Sequence, residues 1–272
     1  MRDTRLLPLV LRSLARGRAV FLAVAAVLTG FQVMLVVIAS TLQTAQSFNL
    51  LSAMMPMGVQ QAFGPSVFML ASFAGLTTFG YFHPVVVLAV TLIGVYAATE
   101  PAGEVEWGLF DLELARPVPR RDVVTRSLLV SLGVTALVGC FMMAGTFTGL
   151  AAFAPAGSAW PRFPRLLDLV AHLVALAWVF SAAGLLASAL ARRRGAAFGG
   201  VAVIVVCLYL LNFIADAWDK LAALRPYLPF HYFSGFEVAS GTAATARDLG
   251  VLLAAAVALV AAAYWLFERR DL

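Results

Sequence analysis

The sequence predicts an all-α polytopic membrane protein, with six transmembrane helices in a single domain over residues 1–272 and both ends in the cytoplasm. Three observations predict it. Hydrophobic residues make up 62% of the 272 and charged residues only 12%, against roughly 45–50% and about 25% in soluble domains. Residues 19–99 contain no Asp, Glu, Lys or Arg. An ionised side chain in hydrocarbon costs several kcal/mol, and no soluble surface could be built from so long an uncharged stretch. Finally, the basic residues are unevenly placed, which sets sidedness.

Six apolar runs can cover about 30 Å of hydrocarbon at about 1.5 Å per residue. They are 19–42, 79–99, 127–154, 166–190, 196–218 and 249–267. The first is too long for the apolar core of a signal peptide. The second is the least regular. Its apolar stretch begins near Gly64, and Pro84 and several glycines interrupt it. A further crossing at 66–81 would leave almost no loop before the next span. With a cytoplasmic N-terminus, six spans place fourteen of the nineteen basic residues inside; Arg162, Arg165, Lys220, Arg225 and Arg247 lie outside. Topology thus accounts for the basic excess, and no nucleic-acid partner is needed.

Ahead of the first span, Leu6, Leu7, Val10, Leu11 and Leu14 share one helical arc, with Arg5, Arg12 and Arg16 opposite. That pattern predicts an amphipathic elbow helix lying in the headgroup plane. Segment 43–78 is external and uncharged, and its 50–64 portion reads as an interfacial helix holding Met54, Met55 and Met57. Thioethers suit Cu(I), but no His or Cys lies in the 50–64 portion to complete a site, so no metal is assigned. In the cytoplasmic segment 100–126, Glu104, Glu106, Asp111 and Glu113 alternate with Val105, Leu109, Phe110, Leu112 and Leu114. This predicts a short helix stopped by Pro117 and Pro119. Its apolar side chains must bury either on the protein's own helix ends or in a soluble partner. Segment 219–248 is external, with Pro226, Pro229 and a cluster of aromatics before short helices and the last span.

The sequence holds no GxxxxGK[ST] phosphate loop, and its only lysine is Lys220. HExxH and GxSxG are absent as well, so no catalytic residue is assigned. Cys140 and Cys207 fall inside apolar runs and read as small buried hydrophobes. Asp168 and His172 stand four apart on the fourth span and share a face; they predict an interhelical hydrogen bond or a proton relay. Gln32, Asn212 and Asp216 are further polar groups at membrane depth. Gly145-x-x-x-Gly149 and Gly195-x-x-x-Gly199 permit close helix packing.

Three segments together resemble the permease subunit of a type-2 ATP-binding-cassette (ABC) transporter. Residues 100–126, EPAGEVEWGLFDLELARPVPRRDVVTR, are similar to the family's cytoplasmic pattern of an acidic cluster, a Gly, a leucine-rich helix and Pro-Val-x-Arg. Residues 224–241, LRPYLPFHYFSGFEVASG, are similar to its external segment before the last span, and FERRDL at 267–272 to its usual ending. The chain departs from the pattern at Trp107, expected polar or basic, and at Arg116, expected apolar.

The resemblance implies that Glu104, Glu106, Gly108, Asp111, Leu112, Pro117, Val118 and Arg120 form a coupling helix and its stop, which docks a cytoplasmic ABC ATPase. It implies a second permease copy, or a homologous permease, enclosing the pathway. It also implies a bacterial plasma membrane, with ATP and Mg²⁺ held by the partner ATPase and no cofactor bound by this chain. Export is the expected direction, since the importer-type EAA loop is absent. Phe31, Gln32, Asp168, His172, Tyr209 and Asn212 are the expected pathway residues. Two other classes stand beside this one. One is a secondary transporter or channel using Asp168 and His172; the other is a non-transporting membrane scaffold. Nothing in the residues selects a substrate.

Overall fold

A chain in hydrocarbon has no water to bond to and must satisfy its backbone polar groups internally; the apolar runs are accordingly helical. The structure, a computed structural model, describes residues 3–44, 72–108 and 119–269. Its helices are α1 Asp3–Thr44, α2 Phe73–Phe79, α3 Pro84–Ala98, α4 Glu100–Glu106 and α5 Arg120–Phe153. They continue with α6 Phe163–Leu190, α7 Arg194–Ala217, α8 Gly235–Ser240 and α9 Thr245–Arg269. Two 3-10 stretches, Asp219–Tyr227 and Pro229–Tyr232, precede α8, and no strand occurs among the described residues. Among the described residues, six stretches are long and apolar enough to cross a membrane: Leu6–Thr44, Phe73–Ala98, Arg121–Phe153, Phe163–Leu190, Arg194–Ala217 and Thr245–Arg269. The first part of α1 and the end of α9 lie at the same end of the bundle, where Arg16 meets Glu100 and Arg121 meets Glu268.

The fourth span, α6, is the core of the bundle. Leu166, Leu169, Leu173, Leu176 and Leu185 are fully buried along it, and it packs on α3, α5, α7 and α9. The first span runs along α5, which the glycines of the first spaced pair permit. A Cβ at Gly145 would lie 2.8 Å from the Thr29 carbonyl oxygen, and one at Gly149 would lie 3.2 Å from Val36 Cβ. A Cβ at Gly195 or Gly199 would meet nothing within 4 Å, so the second glycine pair is not used among the described residues.

The second span begins at Phe73 rather than 79, and it is broken. Ser72 caps α2, its Oγ accepting from the Gly75 amide at 3.0 Å. Residues 80–83 leave the helix, and Pro84 starts α3 at the position where its missing N–H costs nothing. The amides of Tyr81 and Phe82 bond back to the carbonyls of Thr78 and Phe79, both at 3.1 Å. The Tyr81 hydroxyl meets Thr146 of α5 at 2.7 Å. Thr77 and Thr78 lie just ahead of the expected start at Phe79. Their hydroxyls donate to the Ala74 and Gly75 carbonyls, both at 2.9 Å, which removes most of their polarity.

Two further expectations, the separate elbow and the buried cysteines, are corrected. The elbow is not a separate helix, because α1 runs unbroken for 42 residues. Val10 and Leu14 of its extension pack on Ile93, Ala97, Val130 and Val134, which buries part of the apolar arc on α3 and α5. A short helix forms at Glu100–Glu106; the rest of the helix expected from the 104–114 pattern, with its stop at Pro117, falls on residues 109–118, which lie outside the described residues. So does the 50–64 segment with Met54, Met55 and Met57. Cys140 and Cys207 are exposed on the bundle's outer surface and unpaired. Lipid tails are as apolar as a core, so an apolar run does not reveal which of its faces turns inward.

Candidate functional site

At the end that carries the termini, α4 follows α3 with only Thr99 between them. Glu100 and Glu104 are four apart and share one face of α4. Arg16 of α1 donates to Glu100 Oε1 at 2.8 Å and to Glu104 Oε1 at 3.2 Å. Arg126 of α5 donates to Glu104 Oε2 at 2.6 Å. Glu104 is fully buried and the Arg126 side chain is 2% exposed, so each charge depends on the other to offset its desolvation. The Ala102 amide donates to Ser188 Oγ of α6 at 2.8 Å.

Glu106 accepts from the Arg194 backbone amide at 2.9 Å, at the N-terminus of α7, where the helix dipole favours negative charge. The Arg194 guanidinium donates to the Tyr96 carbonyl at 2.8 Å and lies 4.0 Å over the Tyr96 ring. Seven residues are thereby fastened to α1, α5, α6 and α7. Sequence reasoning counted Arg126 and Arg194 only for sidedness, placed Arg16 on the polar face of the elbow as well, and missed this role. The signal available was a pair of acids at helical spacing directly after an uncharged span.

The residues expected to couple to an ATPase are placed unevenly. Glu104 faces inward, whereas Glu106, Trp107 and Gly108 are exposed. Gly108 adopts φ +65°, with nothing within 4 Å of a Cβ position; that left-handed turn favours glycine. Asp111, Leu112, Pro117 and Val118 lie outside the described residues, and Arg120 opens α5.

At the opposite end, a chamber of about 380 Å³ lies between α7, the break in the second span, and the segment before α9. Tyr209 and Asn212 line it, with Phe82, Asp216, Arg225 and Phe230 among its other walls. Tyr209 meets Phe230 edge-on at 5.4 Å, and Phe82 meets Phe236 at 4.8 Å. Asn212 Nδ2 donates to Asp216 Oδ2 at 2.9 Å. Phe31 and Gln32 stand against the same break. The Phe31 ring lies 5.4 Å from that of His83, and a side chain at Gly80 would collide with the Gln32 amide. That amide is fully buried, and neither its nitrogen nor its oxygen has a hydrogen-bond partner among the described residues.

The structure therefore brings Phe31, Gln32, Tyr209 and Asn212 to the break and the chamber it borders. It does not join Asp168 to His172 through their side chains. His172 is fully buried, with Nδ1 bonded to the Asp168 backbone carbonyl at 2.7 Å. The Asp168 carboxylate instead lies 3.9 Å from Arg165.

Among the described residues, no group of three or more His, Cys, Asp or Glu is arranged to hold a metal ion. No curated protein matches the chain. The pattern that defines the ABC-2 family transporter proteins matches residues 11–272. That match runs from the α1 extension through the fastened α4 to the end of the last span, and by it the chain belongs to the ABC-2 transporter family, as a membrane-spanning permease component.

Proposed function

We propose that this permease works as a dimer, with a second copy or a homologous permease, and exports its cargo under the drive of a separate cytoplasmic ATPase docked on segment 100–126. The observation that carries this reading is the fastening of α4. A load applied at the segment that follows α4 reaches α1, α5, α6 and α7 at once, through the bonds of Glu100, Ala102, Glu104 and Glu106. ATP and Mg²⁺ belong to the ATPase; this chain supplies the lever and the pathway. Closure of the two ATPases then rocks the bundles between inward-facing and outward-facing states. The fourteen basic residues assigned to the inner side favour cytoplasmic termini, which puts the chamber on the outer side, where cargo leaves.

Affinity purification of the chain from its own membrane recovers a stoichiometric ATPase if this reading holds. Asp111→Arg, or Gly108→Trp, then leaves membrane insertion intact and lowers the reconstituted complex's ATPase activity by roughly tenfold, the equivalent of about 1.4 kcal/mol. Gly108→Asn, which tolerates the left-handed turn, retains most of it. Unchanged ATPase activity in Asp111→Arg refutes the coupling role. Transport that persists without ATP and collapses with the proton gradient refutes the permease reading itself.

A further inference from the structure

The geometry points to the chamber at the end opposite the termini as a binding site for an amphipathic organic cation, such as an aromatic phosphonium or quaternary ammonium ion. Its volume of about 380 Å³ falls in the usual range for small-molecule sites, roughly 300–1,000 Å³. Phe82, Tyr209, Phe213, Phe230 and Phe236 supply an aromatic lining, and aromatic faces attract cations.

The charges select the sign. Both guanidinium groups of the lining are already committed. Arg225 donates to the Ala215 carbonyl at 2.9 and 2.7 Å and lies 3.5 Å from Asp216. Arg247 donates to Asp248 at 2.9 Å. Glu237, exposed at the wall, forms no ion pair among the described residues. Asn212 points the same way. Its amide nitrogen is held by Asp216, which identifies the other atom as the oxygen, and that Oδ1 is buried without a donor. The uncommitted charged group among the lining's carboxylates and guanidinium groups is thus the Glu237 carboxylate, and with the Asn212 amide oxygen it favours a positive ligand; the Tyr209 hydroxyl, Ser234 and His231 also line the chamber. An anion would find both guanidinium groups already engaged, and would face three carboxylates. A neutral apolar ligand would desolvate Glu237 without compensation.

Calling this site a cargo site rests on the permease reading; binding itself does not. The test uses the full chain in lipid nanodiscs with tetraphenylphosphonium and tetraphenylborate, ions of matching shape and opposite charge. Equilibrium dialysis against Glu237→Gln discs of the same lipid cancels partition into the bilayer. Saturable phosphonium binding is expected in the wild type, weakened roughly tenfold by Glu237→Gln. Glu237→Asp keeps most of the affinity, and both variants elute as the wild type does on size exclusion. The borate shows no saturable component.

Phosphonium binding that is absent, or equal in wild type and Glu237→Gln, overturns the proposal, as does borate binding of equal strength. Co-purification of the ATPase is scored separately. A chain that retains its ATPase but binds no cation overturns the substrate class alone. A chain that binds the cation but never recovers an ATPase overturns the permease reading alone.

Discussion

Replacing Glu104 by Gln keeps the shape of the side chain and removes the charge that bridges α1 and α5. The cost can be worked from the two contacts. Arg126 is 2% exposed and 2.6 Å from Glu104; removing one member of so buried a pair costs about 3–5 kcal/mol, because the other charge stays in low dielectric. Arg16 is 29% exposed and still holds Glu100 at 2.8 Å, so its share is that of a partly exposed pair, about 0.2–1 kcal/mol. The hydrogen bond that Gln can still make returns about 1 kcal/mol. The expected loss is therefore roughly 2–5 kcal/mol, or roughly 4–20 °C in Tm for a chain of this size.

Thermal unfolding in nanodiscs measures it. The Glu104→Met/Arg126→Met double variant removes both charges at similar volume and should be more stable than either single variant. The reasoning fails if Glu104→Gln unfolds within about 0.5 kcal/mol of the wild type, or if the double variant loses the sum of the two single losses.

Gly145→Ala drives a Cβ toward the Thr29 carbonyl at 2.8 Å and should cost about 1–3 kcal/mol as α1 and α5 move apart. Gly199→Ala meets nothing within 4 Å in this chain and should stabilise it by up to about 1 kcal/mol through helix propensity; a measured loss there would instead report a second protomer on that face of α7. Gln32→Leu removes two buried, unpartnered polar atoms and should raise stability by about 1–3 kcal/mol. If the amide serves the pathway as proposed, the same variant lowers transport, and the opposed signs are read by pairing thermal unfolding with a flux assay.

The six crossings were legible because hydrocarbon imposes one simple requirement, an apolar run long enough to close its own hydrogen bonds. The fastening of α4 was not legible, because it is long-range. Arg16 and Arg126 stand 88 and 22 residues from Glu104, and a sidedness count treats every arginine as equivalent. The break at residues 80–83 was half visible. Pro84 marked its end, whereas its start at Gly80 was one of several glycines in the stretch, and nothing local in the sequence set it apart. Tyr209 and Asn212 could be singled out by their polarity within a span. Their neighbours in the chamber, Phe82 and Glu237, come from segments that only the tertiary fold brings beside them.

The fastened α4 and the chamber are at opposite ends of the bundle, and two uninterrupted helices connect them. α3 runs for 15 residues, from the break beside Phe82 to the start of α4, about 22 Å at the helical rise. α7 runs for 24 residues, from Arg194 on Glu106 to Asn212 and Asp216 in the chamber wall, about 36 Å. A helix transmits displacement along its axis with little bending, so a shift of α4 moves both ends of both rods. Compliance is then concentrated at residues 80–83, where the backbone leaves the helix and Gly80 admits the unpartnered Gln32 amide. That amide costs stability in the state described here. In the proposed alternating cycle, bonding this amide in the other state would contribute to the free-energy difference between the two states.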